Sequence, residues 1–456
     1  MRSCIIIGRT RRNRGDLRGF FCVLHFSAFQ MQERALAIGS ELVCVQREVP
    51  PSTSEQLTMR SLLGNPALLD DDDDEDKPKK SKAAAKKQKG SKTFEPAADA
   101  VFSAEAHSLT PGAIYPSLIL ATATIKDDGS PDDPADATHY GDPMATLGVL
   151  LRNVRKDDKI TVEVTADAVI KPSKVSFTAK ASELLVTAAP KVKFDFEALG
   201  RVTQTRPINV TFKVTRNGKA EDDLDEVFSL RQINDCPFGV ISPTPKKNGK
   251  MPDEYHNIQF MYAAYVNENH PQIDQILKEA KATGLCSQFL GYQGTEKEVF
   301  EQVNAIWVAL QRRGITYSSI TNTTPNKSVG QQHVRFLDES INMTQANCVD
   351  GAVLMASVLK KIEIKTCLVL VPGHCYLAFY SFDPEKGGKL YGVETTMLGD
   401  KADLRDVMNA STVARSDSLQ KNWNKFQQEN SGYMLVDLDE AREAGIMPIP
   451  YVKGLK

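Results

Sequence analysis

The sequence predicts a multidomain chain: a disordered amino-terminal stretch over residues 1–93, an antiparallel β-sandwich over 94–242 and an α+β domain over 243–456. Three observations carry that division. Residues 70–76 are all Asp or Glu, and lysines dominate from Lys77 to Lys92. Apolar residues then alternate with period two from about Phe94 to Cys236. After about Pro243 the spacing becomes helical.

Blocks of like charge repel themselves and contain little to bury, so residues 70–92 read as a solvated linker. The lysine half could touch an anionic partner, but the acidic half partly neutralises it. Ahead of the linker, Arg9 to Arg18 is basic and Phe20-Phe21-Cys22-Val23-Leu24 is briefly apolar. His25 interrupts that run, which makes a weak signal-peptide-like segment. We read residues 1–58 as unstructured or upstream of the natural start, with Met59 as an alternative start and the cytoplasm as the location.

Bulk composition narrows the function. Apolar residues make up 41% of 456, enough for globular cores. A net charge of −2 gives no reason to expect nucleic acid or an anionic membrane as partner. No stretch approaches the roughly 20 apolar residues of a membrane helix. Eight cysteines are scattered without a CxxC pair, so neither a disulfide framework nor a structural zinc site is expected, and no cofactor.

In the middle third, Ile160, Val162 and Val164 alternate with polar residues, as do Ile208, Val210, Phe212 and Val214. The second run meets the turn signal Asn217-Gly218. SLILATATI, KVSFTAKA and ELLVTAA also read as strands. Many short strands without helices between them indicate a sandwich. No clustered catalytic set appears there, so its expected role is to bind a protein partner or to position the site.

From residue 254, EYHNIQFMYAAYV and QIDQILKEAKATGL fit helices. Glu296 to Arg313 is a stronger one, with Val299, Val303, Ile306, Trp307 and Leu310 on one face and Gly314 at its end. Strands follow in KTCLVLV, CYLAFYSF and KLYGVET, then a helix around Asp417–Glu429 and a strand near Tyr433–Val436.

The chemistry concentrates in 47 residues. Asn347 is a good N-cap, which places Cys348 in the first turn of an apolar helix, where free backbone N–H groups favour a thiolate. His374 opens a strand after Pro372-Gly373, and Glu394 follows in another strand. A thiol nucleophile needs a base, and the base needs a group to orient it. Cys348, His374 and Glu394 supply that set. Strand alternation turns Cys375 away if His374 faces the nucleophile. Glu is one methylene longer than the commoner Asp, so its strand should lie slightly further off. The backbone N–H of Cys348 is the first oxyanion candidate. Gln332 and Gln345 are side-chain candidates, with Gln331 and His333 nearby in what reads as a loop over 318–335. Asp350 reads as a helix cap and Trp307 as core.

These residues resemble the transglutaminase-like superfamily of papain-like fold. The resemblance rests on Arg313-Gly314-Ile315 with Tyr317, on Asn347-Cys348 with Asp350 and Ala352, on Pro372-Gly373-His374, and on Glu394-Thr395-Thr396. It covers residues 306–396 well and the flanks loosely. It implies a cysteine-nucleophile fold with Cys348, His374 and Glu394 as the triad. Glu stands where Asp is commoner, and the Gly-Gln-Cys-Trp surround of animal transglutaminases is missing. The expected activity is thiol-dependent hydrolysis of peptide or side-chain amide bonds in a protein or peptide substrate. The alternatives are an inert binding module and acyl transfer to an amine.

Overall fold

The computed structural model describes residues 96, 99–124, 138–142, 144–243, 253–319, 326–428 and 431–450, and a pairing of Cys4–Ile5 with His25–Phe26. Those four positions apart, the expectations for residues 1–93 lie outside the described residues. The described part is a mixed α/β body with several sheets.

The period-two runs become strands. In chain order these are β1 (Ser103–Ser108), β2 (Ala113–Ile114), β3 (His139–Gly141), β4 (Leu147–Val154), β5 (Lys159–Ala166) and β6 (Ile170–Thr178). After them come β7 (Glu183–Ala189), β8 (Lys193–Phe194), β9 (Arg206–Arg216), β10 (Lys219–Ala220) and β11 (Leu224–Leu230). One sheet has the order β1-β4-β7-β3, the other β8-β6-β5-β9-β11-β2 with β10 on β9. All pairs are antiparallel except β3 with β7 and β2 with β11. In β5, Ile160, Val162 and Val164 point inward, and Val162 and Val164 face Val214 and Phe212 of β9. Burying each such side chain contributes about 1.5–3 kcal/mol. Across the two sheets Tyr140 stacks on Phe177, with ring centroids 3.8 Å apart. Asn217 and Gly218 both have positive φ, as the predicted hairpin turn requires.

Two expectations need correction. SLILATATI is not a strand: α1 (Pro116–Thr122) is a buried helix. A continuous apolar run has no usable period, and Pro116 at the first turn fits a helix while denying a sheet its N–H. Residues 253–265 are not an α-helix either. β13 (Asp253–Asn257) pairs with β12 (Asp235–Pro243), and Gln259–Tyr265 is 3-10 helix. Cross-strand pairing overrides local preference there.

The remaining helices are α2 (Phe196–Gly200), α3 (Gln272–Lys281), α4 (Glu296–Arg312), α5 (Leu337–Met343), α6 (Cys348–Lys361), α7 (Leu404–Asn409), α8 (Leu419–Phe426) and α9 (Leu438–Glu443). The strands are β14 (Thr316–Tyr317), β15 (Val329–His333), β16 (Gln345–Ala346), β17 (Thr366–Val371), β18 (His374–Tyr380), β19 (Leu390–Val393) and β20 (Met434–Asp437). The expected loop at 318–335 thus contains a strand, β15, fixed by its pairing with β12.

An antiparallel sheet of order β19-β18-β17-β20 positions the chemistry. Leu368, Leu370, Cys375, Leu377 and Phe379 pack on the face that includes α6. Cys367, Val369, Tyr376 and Ala378 pack on the other face with Leu419 and Phe426 of α8. Both faces are covered, so these strands read as unbroken apolar runs. The core around α6 is continuous with that of the amino-terminal sheets. Among the described residues no helix is long and apolar enough to cross a membrane.

Candidate active site

The start of α6 is held by a reciprocal cap. The Asn347 side chain accepts from the Asp350 N–H at 2.9 Å, and the Asp350 carboxylate accepts from the Asn347 N–H at 2.9 Å. Asp350 also accepts from the backbone N–H and a guanidinium nitrogen of Arg335, each at 2.8 Å. Asp350 is fully buried, so its charge is paired inside the protein. This arrangement fixes Cys348, the first helical residue, which is partly exposed.

Gly351 lets the helix approach the next element. A Cβ there would meet Thr395 Oγ1 at 2.9 Å. Thr395 opens a 3-10 turn, Thr395–Asp400, whose N-cap is Glu394. Glu394 therefore sits one residue past β19, at the cap of that turn and not within the strand where the sequence placed it. The extra methylene lets the side chain cap its own turn while reaching His374.

His374 joins the two. Its Nε2 lies 2.9 Å from Glu394 Oε2, and the Cys348 side chain is near enough to favour the charged ring. With Nε2 taken, Nδ1 is the nitrogen left for the thiol. Burial disfavours the imidazolium, but the neighbouring Cys348 and Glu394 outweigh it and raise the His374 pKa to about 9. Glu394 is itself fully buried, and burial alone would raise its pKa. The His374 hydrogen bond and charge, with Thr396 and Arg415, hold it below the usual carboxylate value. Its Oε1 accepts from Thr396 N–H at 3.3 Å and Thr396 Oγ1 at 2.6 Å, and its Oε2, bonded to His374, also forms an ion pair with Arg415 Nη1 at 2.8 Å.

Cys375 needs a different argument from strand phase. It lies on the sheet face that packs against α6, while His374 shares the phase of Tyr376. His374 reaches Cys348 because it is the first residue of β18, where alternation no longer constrains it. Cys375 is instead set apart by burial: it is 2% exposed, and desolvation pushes its thiol well above the ordinary pKa.

The glutamines separate. Gln332 Oε1 accepts from Tyr262 OH at 3.2 Å, and among the described residues its Nε2 has no hydrogen-bond partner. Tyr262 lies within reach of the Cys348 charge, so Gln332 is in the neighbourhood of the thiol. Gln345 is exposed on β16, and among the described residues no hydrogen bond ties it to the triad. Gln331 receives a bond from Tyr115 OH, and His333 Nδ1 lies 3.2 Å from Gln232 Nε2. Trp307 is core, fully buried, with Nε1 donating to Ala402 O at 2.9 Å.

Arg415, Thr396, Arg335 and Tyr317 escaped the sequence reading. Thr396 and Tyr317 left a trace, in the Glu394-Thr395-Thr396 stretch and beside Arg313-Gly314-Ile315, without a role. Tyr317 is half exposed, and burial with the Cys348 and Glu394 charges raises its pKa. Among the described residues no cluster of three or more His, Cys, Asp or Glu is suited to a metal. The arrangement can take a proton from a thiol and hold the resulting imidazolium. Neither models of known protein families nor the sequences of curated proteins match the chain.

Proposed function

We propose that the chain is a thiol-dependent hydrolase of peptide or side-chain amide bonds, with a β-sandwich followed by a transglutaminase-like α+β domain of papain-like fold. The carrying observation is the hydrogen bond that ties His374 to the buried Glu394, with Cys348 at the start of α6 close enough to raise the imidazole pKa. His374 takes the Cys348 proton, and the thiolate attacks the carbonyl carbon of the amide. The oxyanion that forms is met by the Cys348 N–H at the start of α6 and by the Gln332 amide. The tetrahedral species collapses, His374 gives its proton to the leaving amine, and a thioester remains on Cys348. His374 then deprotonates a water that releases the acid and frees the thiol. Throughout, Glu394 holds the imidazole in one orientation and stabilises its charged form.

The sandwich supplies a surface for a protein partner. Among the described residues Cys236, Cys286, Cys348, Cys367 and Cys375 form no disulfide, which suits a reducing cytoplasm.

The test is labelling by a thiol-directed electrophile at pH 7. Cys348→Ala should abolish rapid labelling, while Cys375→Ala should leave it intact. Equal labelling of both variants sinks the assignment. Amine incorporation into a glutamine-bearing protein, with no hydrolysis, would move the reading to acyl transfer.

A further inference from the structure

We propose that Arg415 is a positioning residue of the site, which clamps the Glu394 carboxylate and divides its charge between a fixed guanidinium and His374. This rests on the proposed thiol chemistry. Arg415 uses its whole donor fork. Nε and Nη2 bind the two Asp417 oxygens at 2.9 and 2.8 Å, and Nη1 lies 2.8 Å from the Glu394 Oε2 that also serves His374. The Asp417 carbonyl accepts from Tyr376 OH at 3.0 Å, and the Tyr376 and His374 ring centroids are 6.0 Å apart. The contacts therefore close a ring: His374, Glu394, Arg415, Asp417, Tyr376 and back to His374.

The backbone is built to aim Arg415. A π-helix, Ala410–Ala414, ends directly on it, and the Arg415 N–H caps that turn on the Ala410 carbonyl. Single π-turns concentrate at functional positions because they displace the following residue from helical phase. The π-turn packs on β19 at Gly392, whose N–H donates to Thr412 Oγ1 at 2.9 Å. A Cβ at Gly392 would meet Ser411 at 2.9 Å. The close approach that seats the π-turn is thus the one that carries Arg415 to Glu394. An ordinary surface arginine would keep its head in water, whereas this one is 38% exposed and bonded to two carboxylates.

The sign of the effect follows from charge. The titratable or charged groups facing His374 and Glu394 are Cys348 on α6, Cys375 and Tyr376 on β18, Tyr317 on β14, and Arg415 with Asp417, while Asp350 on α6 acts on Cys375. Removing the Arg415 cation raises the pKa of every acid nearby, so both limbs of a thiolate–imidazolium reactivity profile move to higher pH. Removing the Asp417 charge moves them the other way. Because Arg415 is partly solvated, each displacement is about one pH unit or less, not the several units of a buried pair.

The experiment is the rate of Cys348 alkylation by iodoacetamide from pH 4 to pH 11 on the full chain, in a background where the other thiols are blocked or slow. Wild type should show a plateau bounded by two limbs. Arg415→Met should shift both limbs upward, so that at a fixed pH on the acid limb it reacts up to about tenfold more slowly. Asp417→Asn should shift them downward. Arg415→Lys, which keeps the charge but loses the fork, should leave the limbs in place and lower the plateau. A plateau in wild type with limbs unmoved in Arg415→Met, or moved in the same direction as in Asp417→Asn, overturns the Arg415 role alone. Absence of any plateau in wild type overturns the thiol reading beneath it. Should Arg415→Met fail to fold, the downward shift in Asp417→Asn still decides the matter.

Discussion

Glu394→Gln isolates the electrostatic contribution at the centre of the site. The substitution preserves shape and removes one charge. In the folded protein the His374 pKa is raised from 6.5 to about 9. At 1.36 kcal/mol for each pH unit this corresponds to roughly 3 kcal/mol of stability. The folded pKa lies above the unfolded one. The contribution is therefore complete below pH 6.5 and disappears as pH rises through 9. Cys348 and Glu394 each favour the cation, against burial that opposes it. With Gln at 394, Cys348 alone must offset burial, so about half of the effect, on the order of 1.5 kcal/mol, should vanish. Urea unfolding of wild type and variant at pH 6 and pH 10 reads this as a difference of differences, so other groups that titrate in the range cancel. The gap in stability between the two proteins should be larger at pH 6 than at pH 10 by that amount. An equal gap at both pH values refutes the reasoning, because Glu394 would then contribute nothing that depends on the charge of His374.

Three further outcomes follow from the same geometry. Gly351→Ala should destabilise by about 1–2 kcal/mol and slow Cys348 labelling at least tenfold, although Gly→Ala inside a helix ordinarily stabilises by about 1 kcal/mol. The reason is the Thr395 Oγ1 that the new methyl would meet at 2.9 Å, and urea unfolding with labelling kinetics measures both effects. Arg335→Met leaves the fully buried Asp350 without its cation and should cost about 3–5 kcal/mol in urea unfolding, with a loss under 1 kcal/mol counting against a buried pair. Gln332→Leu should lower turnover of an amide substrate about 10²-fold while leaving thiol labelling unchanged, since an oxyanion donor acts only when the oxyanion forms. Equal losses in both assays would show that Gln332 supports the thiol instead.

The sequence by itself determined the elements whose signal is local. The face of α4 follows from apolar spacing, β5 and β9 from period two, the turn between β9 and β10 from Asn217-Gly218, and the start of α6 from Asn347. Cys348, His374 and Glu394 were legible for the same reason, since each sits at an element boundary marked by a cap, a Pro-Gly break or a short polar motif. Where the chain was apolar throughout, as in α1, period was mute. In β13 the preceding strand decided the structure, and in β15 a strand distant in sequence did. Tertiary structure alone decided what surrounds the triad. Arg335 reaches Asp350 across 15 residues, Tyr262 reaches Gln332 across 70, and Arg415 reaches Glu394 only because a π-turn seats against a glycine. No local preference encodes such pairings, because they depend on how separate elements pack. The same packing corrected the reason for setting Cys375 aside: not the phase of its strand, but its burial beneath α6.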